Sequence, residues 1–141
     1  MSSEKSVPNR IFVDTVFVIA LVNHRDQYHQ QASELADRFE GYPLLVTDAV
    51  LLEIGNALAR SYKKEAIEII EQFLASDEVE IVRLTSQLFE RAFAMYKKYL
   101  DKQWGLVDCI SFVAMHEAGV SQAMTFDRHF VQAGFEALMR E

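Results

Sequence analysis

Arg10-Ile11-Phe12-Val13-Asp14-Thr15-Val16-Phe17-Val18-Ile19-Ala20-Leu21-Val22 is the stretch whose reading decides the fold. An apolar triplet, Ile11 to Val13, emerges from a polar leader, stops at two polar residues, and gives way to a second apolar run from Val16 to Val22. The triplet is too short for a helix and reads as a buried strand; the longer run reads as a short helix, with Asp14 and Thr15 at the turn between them.

The same alternation continues outward. Asp26 is placed to cap a helix reaching about Phe39, with Tyr28, Ala32, Leu35, Ala36 and Phe39 at helical spacing and Gly41 and Pro43 as its stop. Leu44, Leu45 and Val46 form a second buried strand, Thr47 and Asp48 offer an N-cap, and helices are expected over 49–60 and about 66–74. Residues 79–84 read as a third strand. Thr85 then caps a longer helix with Leu88, Phe89, Ala92, Met95, Tyr96 and Tyr99 on one side. A loop over 102–106 leads to an apolar helix over 107–118, Gly119 stops it, and 123–126 and 135–139 give a fourth strand and a last short one. Short strands alternating with helices predict an α/β fold: a parallel, Rossmann-like sheet of four to five strands with helices on both faces. In that class, sites gather beyond the carboxyl ends of the strands.

Composition sets the outer bounds. At 141 residues, 50% hydrophobic and 11% aromatic, the chain can pack one ordinary core, so a single domain is expected over 10–141 behind a flexible leader over 1–9. Neither a signal-peptide pattern nor a membrane-length apolar run is visible, and the single cysteine, Cys109, fits a reducing compartment. A cytoplasmic location follows as an expectation. Cys109 lies in an apolar run and is read as a small buried hydrophobe without chemistry. The net charge of -7 argues against a nonspecific nucleic-acid coat, which needs Lys and Arg to release counterions. It leaves room for an enzyme whose negative charge is concentrated in a metal site.

The carboxylates carry the chemistry. Asp14 directly follows the first strand and Asp127 the fourth, matched positions at the rim where α/β folds build sites; each also suits a turn or cap. Glu53 lies in a helix whose buried arc is Val50, Leu51, Ile54, Ala57 and Leu58, and shares its polar stripe with Asn56 and Arg60. Asp108 interrupts an otherwise apolar helix, where an ionised carboxylate needs a strong partner, although an Asp at a helix start also gains from the macrodipole. Several carboxylates in one cleft repel one another unless a cation binds them. Their oxygens favour magnesium or manganese, and two such ions can clamp an in-line phosphoryl displacement.

Taken in order, Asp14-Thr15, Glu53, Trp104-x-x-x-Asp108-Cys109-Ile110-Ser111-Phe112 and Thr125-Phe126-Asp127-x-His129-Phe130 resemble the PIN-domain family, especially its VapC-type toxins, over about residues 10–139. The resemblance implies a metal-dependent endoribonuclease leaving 5′-phosphate and 3′-hydroxyl ends, a homodimer, and a small antitoxin with a basic carboxy-terminal segment as inhibitor. It assigns Asp14, Glu53 and Asp108 as the main magnesium or manganese ligands, Asp127 as a more variable fourth, and Thr15 as a supporting hydroxyl. Gly105 and Val107 depart from the pattern: many relatives carry hydroxyl residues there, so a hydrogen bond orienting Asp108 is expected to be missing.

Other readings fare less well. A receiver domain needs a Lys near its last strand, and none follows Lys102; a dehalogenase-like phosphatase needs a second Asp two places after its nucleophile, where Val16 stands. The alternative from another class is a non-catalytic PIN-like module acting through a protein or RNA partner, which the intact acids argue against. His24, His29, His116 and His129 lack zinc-ligand spacing and read as surface or capping groups. Arg60 and Lys102 are candidates for RNA phosphate contact.

Overall fold

The computed structural model describes residues 9–140; the leader expected over 1–9 lies, except for Asn9, outside the described residues. The elements run β1 (Ile11–Val13), α1 (Thr15–Val22), α2 (His29–Arg38), β2 (Leu44–Thr47), α3 (Asp48–Ala57), α4 (Lys63–Ala75), β3 (Val79–Val82), α5 (Ser86–Lys98), α6 (Leu106–Ala118), β4 (Gln122–Met124), α7 (Arg128–Gln132) and β5 (Glu136–Ala137). The five strands form one sheet in the order β3-β2-β1-β4-β5, with every neighbouring pair parallel. The α/β class and the parallel sheet match the reading of the sequence.

The strand order positions the site. From β1 the chain winds through β2 to β3 on one side, then returns to the other side of β1 for β4 and β5. The reversal opens a crevice between the carboxyl ends of β1 and β4, the switch point where doubly wound folds bind ligands. Val13 is in register with Met124, so Asp14 and Thr125 are the next residues out on the two strands.

The middle of the sheet is buried because its inner strands are mostly apolar: Phe12, Leu45, Val46 and Ala123 have no exposed surface, while β3 at one edge is only partly covered. α6 covers it with an unbroken buried run, Cys109 to Met115. Phe130 joins the two layers, its ring centroid 6.0 Å from Phe12 and 5.0 Å from Phe112. Burying each ring contributes about 1.5–3 kcal/mol.

Several boundaries shift for local reasons. Asp26 does not cap α2: its Oδ1 accepts from Tyr28 N at 2.8 Å and its carbonyl from His29 N at 2.9 Å, closing a turn ahead of the helix. α3 ends at Ala57 instead of residue 60, and a turn through Leu58 leads to Tyr62. On α5 only Leu88 and Ala92 are fully buried; Phe89 and Tyr96 are exposed with Phe93 and Leu100, because α5 packs chiefly on α6 and buries a narrow stripe.

The carboxy-terminal residues are strapped to the sheet. Leu138 N donates to Ala123 O, Met139 N to Thr125 O, and Arg140 Nη1 to Phe126 O at 2.8 Å, while Gln31 Nε2 of α2 donates to Met139 O. Among the described residues no helix is long and apolar enough to cross a membrane.

Candidate active site

A cleft of about 510 Å³ opens at the switch point, lined by Asp14, Thr15, Val16, Ile19, Glu53, Asn56, Ala57, Asp108 and Asp127. All five residues singled out from the sequence therefore meet in one place. No Lys or Arg is among the lining residues.

Asp14 occupies the position before α1 where a cap would sit, yet its side chain caps nothing. Instead its Oδ2 accepts from Thr125 Oγ1 across the β1–β4 pair at 2.8 Å. The residue is only 7% exposed, and burial pushes its carboxyl up to about 7, with the charges of Asp108 and Asp127 adding to the rise and the bonds from Thr125 and the backbone opposing it. Thr125 also accepts from Asp127 N at 3.0 Å, so one buried hydroxyl ties the two strand-end acids together.

Glu53 reaches the cleft because α3 packs beside α1, and Thr15 Oγ1 donates to its Oε1 at 2.7 Å. Ala57, expected in the buried arc, is exposed and lines the cleft below it. Asp127 caps α7, accepting from His129 N at 2.9 Å. Asp108 enters from α6, and its Oδ2 accepts from Gly105 N at 3.0 Å, the reach-back half of a capping box. The hydroxyls absent at Gly105 and Val107 are thus replaced as orienting groups by a backbone N–H and by an imidazole.

That imidazole is His129, whose Nδ1 lies 3.2 Å from Asp108 Oδ2 and 3.4 Å from Asp127 Oδ1. The sequence places it among surface or capping groups; the structure instead sets its ring between two of the acids, because α7 docks beside α6. His29 does act structurally, with Nδ1 2.9 Å from Ala20 O. Arg60 is not among the residues lining the cleft; Lys102 lines a neighbouring cavity of about 230 Å³ with Arg128, His129 and Gln132. Cys109 is fully buried, and burial, then the Asp108 charge, pushes its thiol up to about 11, which keeps it protonated and inert.

The lining would suit a divalent cation: four carboxylates face one cleft, one of them buried, and none of the described residues lining it is Lys or Arg. Asp108, Asp127 and His129 each present a ligand atom within 4.8 Å of the others.

Comparison with known proteins agrees with this geometry. Residues 11–136 match the PIN domain. Over 127 residues the chain is 31% identical to the 23S rRNA-specific endonuclease VapC20 of Mycobacterium tuberculosis, in each of two strains, covering 89% of this chain and 95% of the relative. The crystal structure of that VapC20, a Sarcin-Ricin loop cleaving toxin, superposes with a TM-score of 0.80 at 30% identity, covering 89% of this chain and 95% of the other. With the fold, the match over nearly the whole sheet and this degree of identity, the chain belongs to the PIN-domain family, among its VapC-type members.

Proposed function

We propose that this protein is an endoribonuclease that hydrolyses RNA phosphodiester bonds with magnesium or manganese held by Asp14, Glu53, Asp108 and Asp127, and that it is the toxin of a type II toxin-antitoxin pair. The observation that carries the reading is the convergence of these acids at the switch point with no basic Lys or Arg side chain to balance them. A cation bound there would supply an activated water and would neutralise charge on the phosphoryl and leaving oxygens. The protein's part is to fix the ligands: Thr125 holds Asp14, Thr15 holds Glu53, and the Gly105 N–H holds Asp108. A non-catalytic binding role would leave this arrangement of orienting bonds without a use.

The relative's substrate makes 23S rRNA the first RNA to try. Inhibition is assigned to a small antitoxin whose basic carboxy-terminal segment inserts Arg or Lys among the carboxylates, where a guanidinium pairs with two oxygens at once. A homodimer is supported by Phe89, Phe93 and Tyr96, an exposed apolar stripe stacked in series along α5, with Leu100 exposed in the turn after it. The working compartment is proposed to be the cytoplasm.

The test is cleavage of ribosomal RNA with magnesium or manganese, with EDTA, and with Asp108→Asn. Activity should vanish in EDTA and fall at least ~100-fold in the variant, which keeps the shape of the ligand and removes its charge. Undiminished cleavage in EDTA, or a near-wild-type Asp108→Asn, would overturn the mechanism.

A further inference from the structure

We propose that Nδ1 of His129 is a nitrogen ligand of the cation held by Asp108 and Asp127, and that it makes this side of the cleft select manganese over magnesium. The inference rests on the carboxylate site proposed above and deepens it. Nδ1 faces one oxygen of each acid, at 3.2 Å from Asp108 and 3.4 Å from Asp127. As hydrogen bonds these are poor: a single N–H would be shared between two acceptors, at and beyond the long end of the usual ~2.7–3.2 Å range. As ligand spacing they are good, because two donors at right angles on an ion with bonds of about 2.1 Å stand about 3 Å apart. The tautomer with its proton on Nε2 presents the required lone pair.

The placement is a product of the local fold. Asp127 caps α7 by accepting the backbone N–H of His129, which sets the imidazole two residues on from the carboxylate it faces. Asp108 is held against the same ring by the Gly105 N–H, so the Asp108 oxygen nearest Nδ1 is already positioned. Phe130, fully buried, anchors the short helix that carries the ring.

Chemistry then decides the metal. Magnesium favours oxygen donors and retained water, whereas imidazole suits first-row transition ions; of the two cations proposed for this cleft, manganese is the transition ion and also takes carboxylate and water donors. Replacing one oxygen or water by imidazole therefore shifts the balance toward manganese.

Pulsed EPR of the manganese-loaded protein, together with manganese and magnesium titrations by calorimetry, tests this on wild type, His129→Ala and His129→Asn. Asn retains an N–H donor near the Nδ1 position but no nitrogen lone pair, so it separates a hydrogen-bonding clamp from a ligand, and it still reports should the Ala variant fold poorly. The expected result is a ¹⁴N coupling in wild type that both variants lose. With it, manganese affinity should fall at least ~10-fold in both variants while magnesium affinity changes less than ~3-fold. Manganese bound without nitrogen coupling, or wild-type metal preference in His129→Asn, overturns the ligand role and leaves the carboxylate site intact. Failure of wild type to bind manganese at all overturns the carboxylate site, and this inference with it.

Discussion

Asp14 shows what a buried acid costs and what it is for. Its pKa is raised from 3.8 to about 7, chiefly by burial, so the folded state holds a proton that the unfolded chain releases at lower pH. Stability from that proton is complete below about pH 4 and is lost as pH rises through 7, a difference of up to ~4 kcal/mol. Asp14→Asn removes the ionisation while keeping an acceptor for Thr125. In EDTA the wild type should therefore lose melting temperature between pH 5 and 8 while the variant loses much less, and the variant should melt higher at neutral pH yet cleave no RNA. Parallel melting curves for the two proteins across that range would refute it. The candidate acids were legible in the sequence because each interrupts an apolar context or follows a strand. Thr125 and His129 were not, since their roles depend on neighbours in space: Thr125 meets Asp14 only through the β1–β4 register, and His129 meets Asp108 only once α7 docks beside α6.

At the scale of elements, the caps at Thr47, Thr85 and Gly119 were legible, whereas the one expected at Asp26 was not. Thr47 and Thr85 accept from the N–H groups of Val50 and Leu88, both at 3.1 Å, and Gly119 ends α6 in the left-handed region at φ 70°, with Val120 N bonded back to Met115 O. The two threonines are not equivalent. Thr47 is 1% exposed at the end of the inner strand β2, whereas Thr85 is exposed, so Thr47→Ala strands a buried N–H and Thr85→Ala leaves one that water can reach. Urea denaturation should give a loss of about 2 kcal/mol for Thr47→Ala and about 0.5–1 kcal/mol for Thr85→Ala; equal losses would contradict this account. Periodicity was a weaker guide on α5, because spacings of three and four mark an apolar arc without showing how much of it a neighbour covers. Phe89 and Tyr96 fit the arc and still lie outside the buried stripe.

For the whole molecule, the alternation of strands and helices specified a parallel α/β sheet, but not the order β3-β2-β1-β4-β5, since no local pattern says which strands become neighbours. That order sets Asp14 and Asp127 at one crevice and concentrates negative charge there. Manganese should accordingly raise the melting temperature of wild type more than that of Asp108→Asn, because only the folded state assembles the ligands. An equal shift in both proteins would indicate binding elsewhere. The same topology ends at the strap of Leu138, Met139 and Arg140, which bonds to the carbonyls of Ala123, Thr125 and Phe126 on the segment leading to Asp127. Residues Leu138 to Arg140 are thus a guy-line for the loop that carries Asp127: removing them, or pulling Met139 from its berth, would slacken the cleft from behind while leaving all four of its acids in the sequence, so an engineer altering this protein should leave that segment untouched.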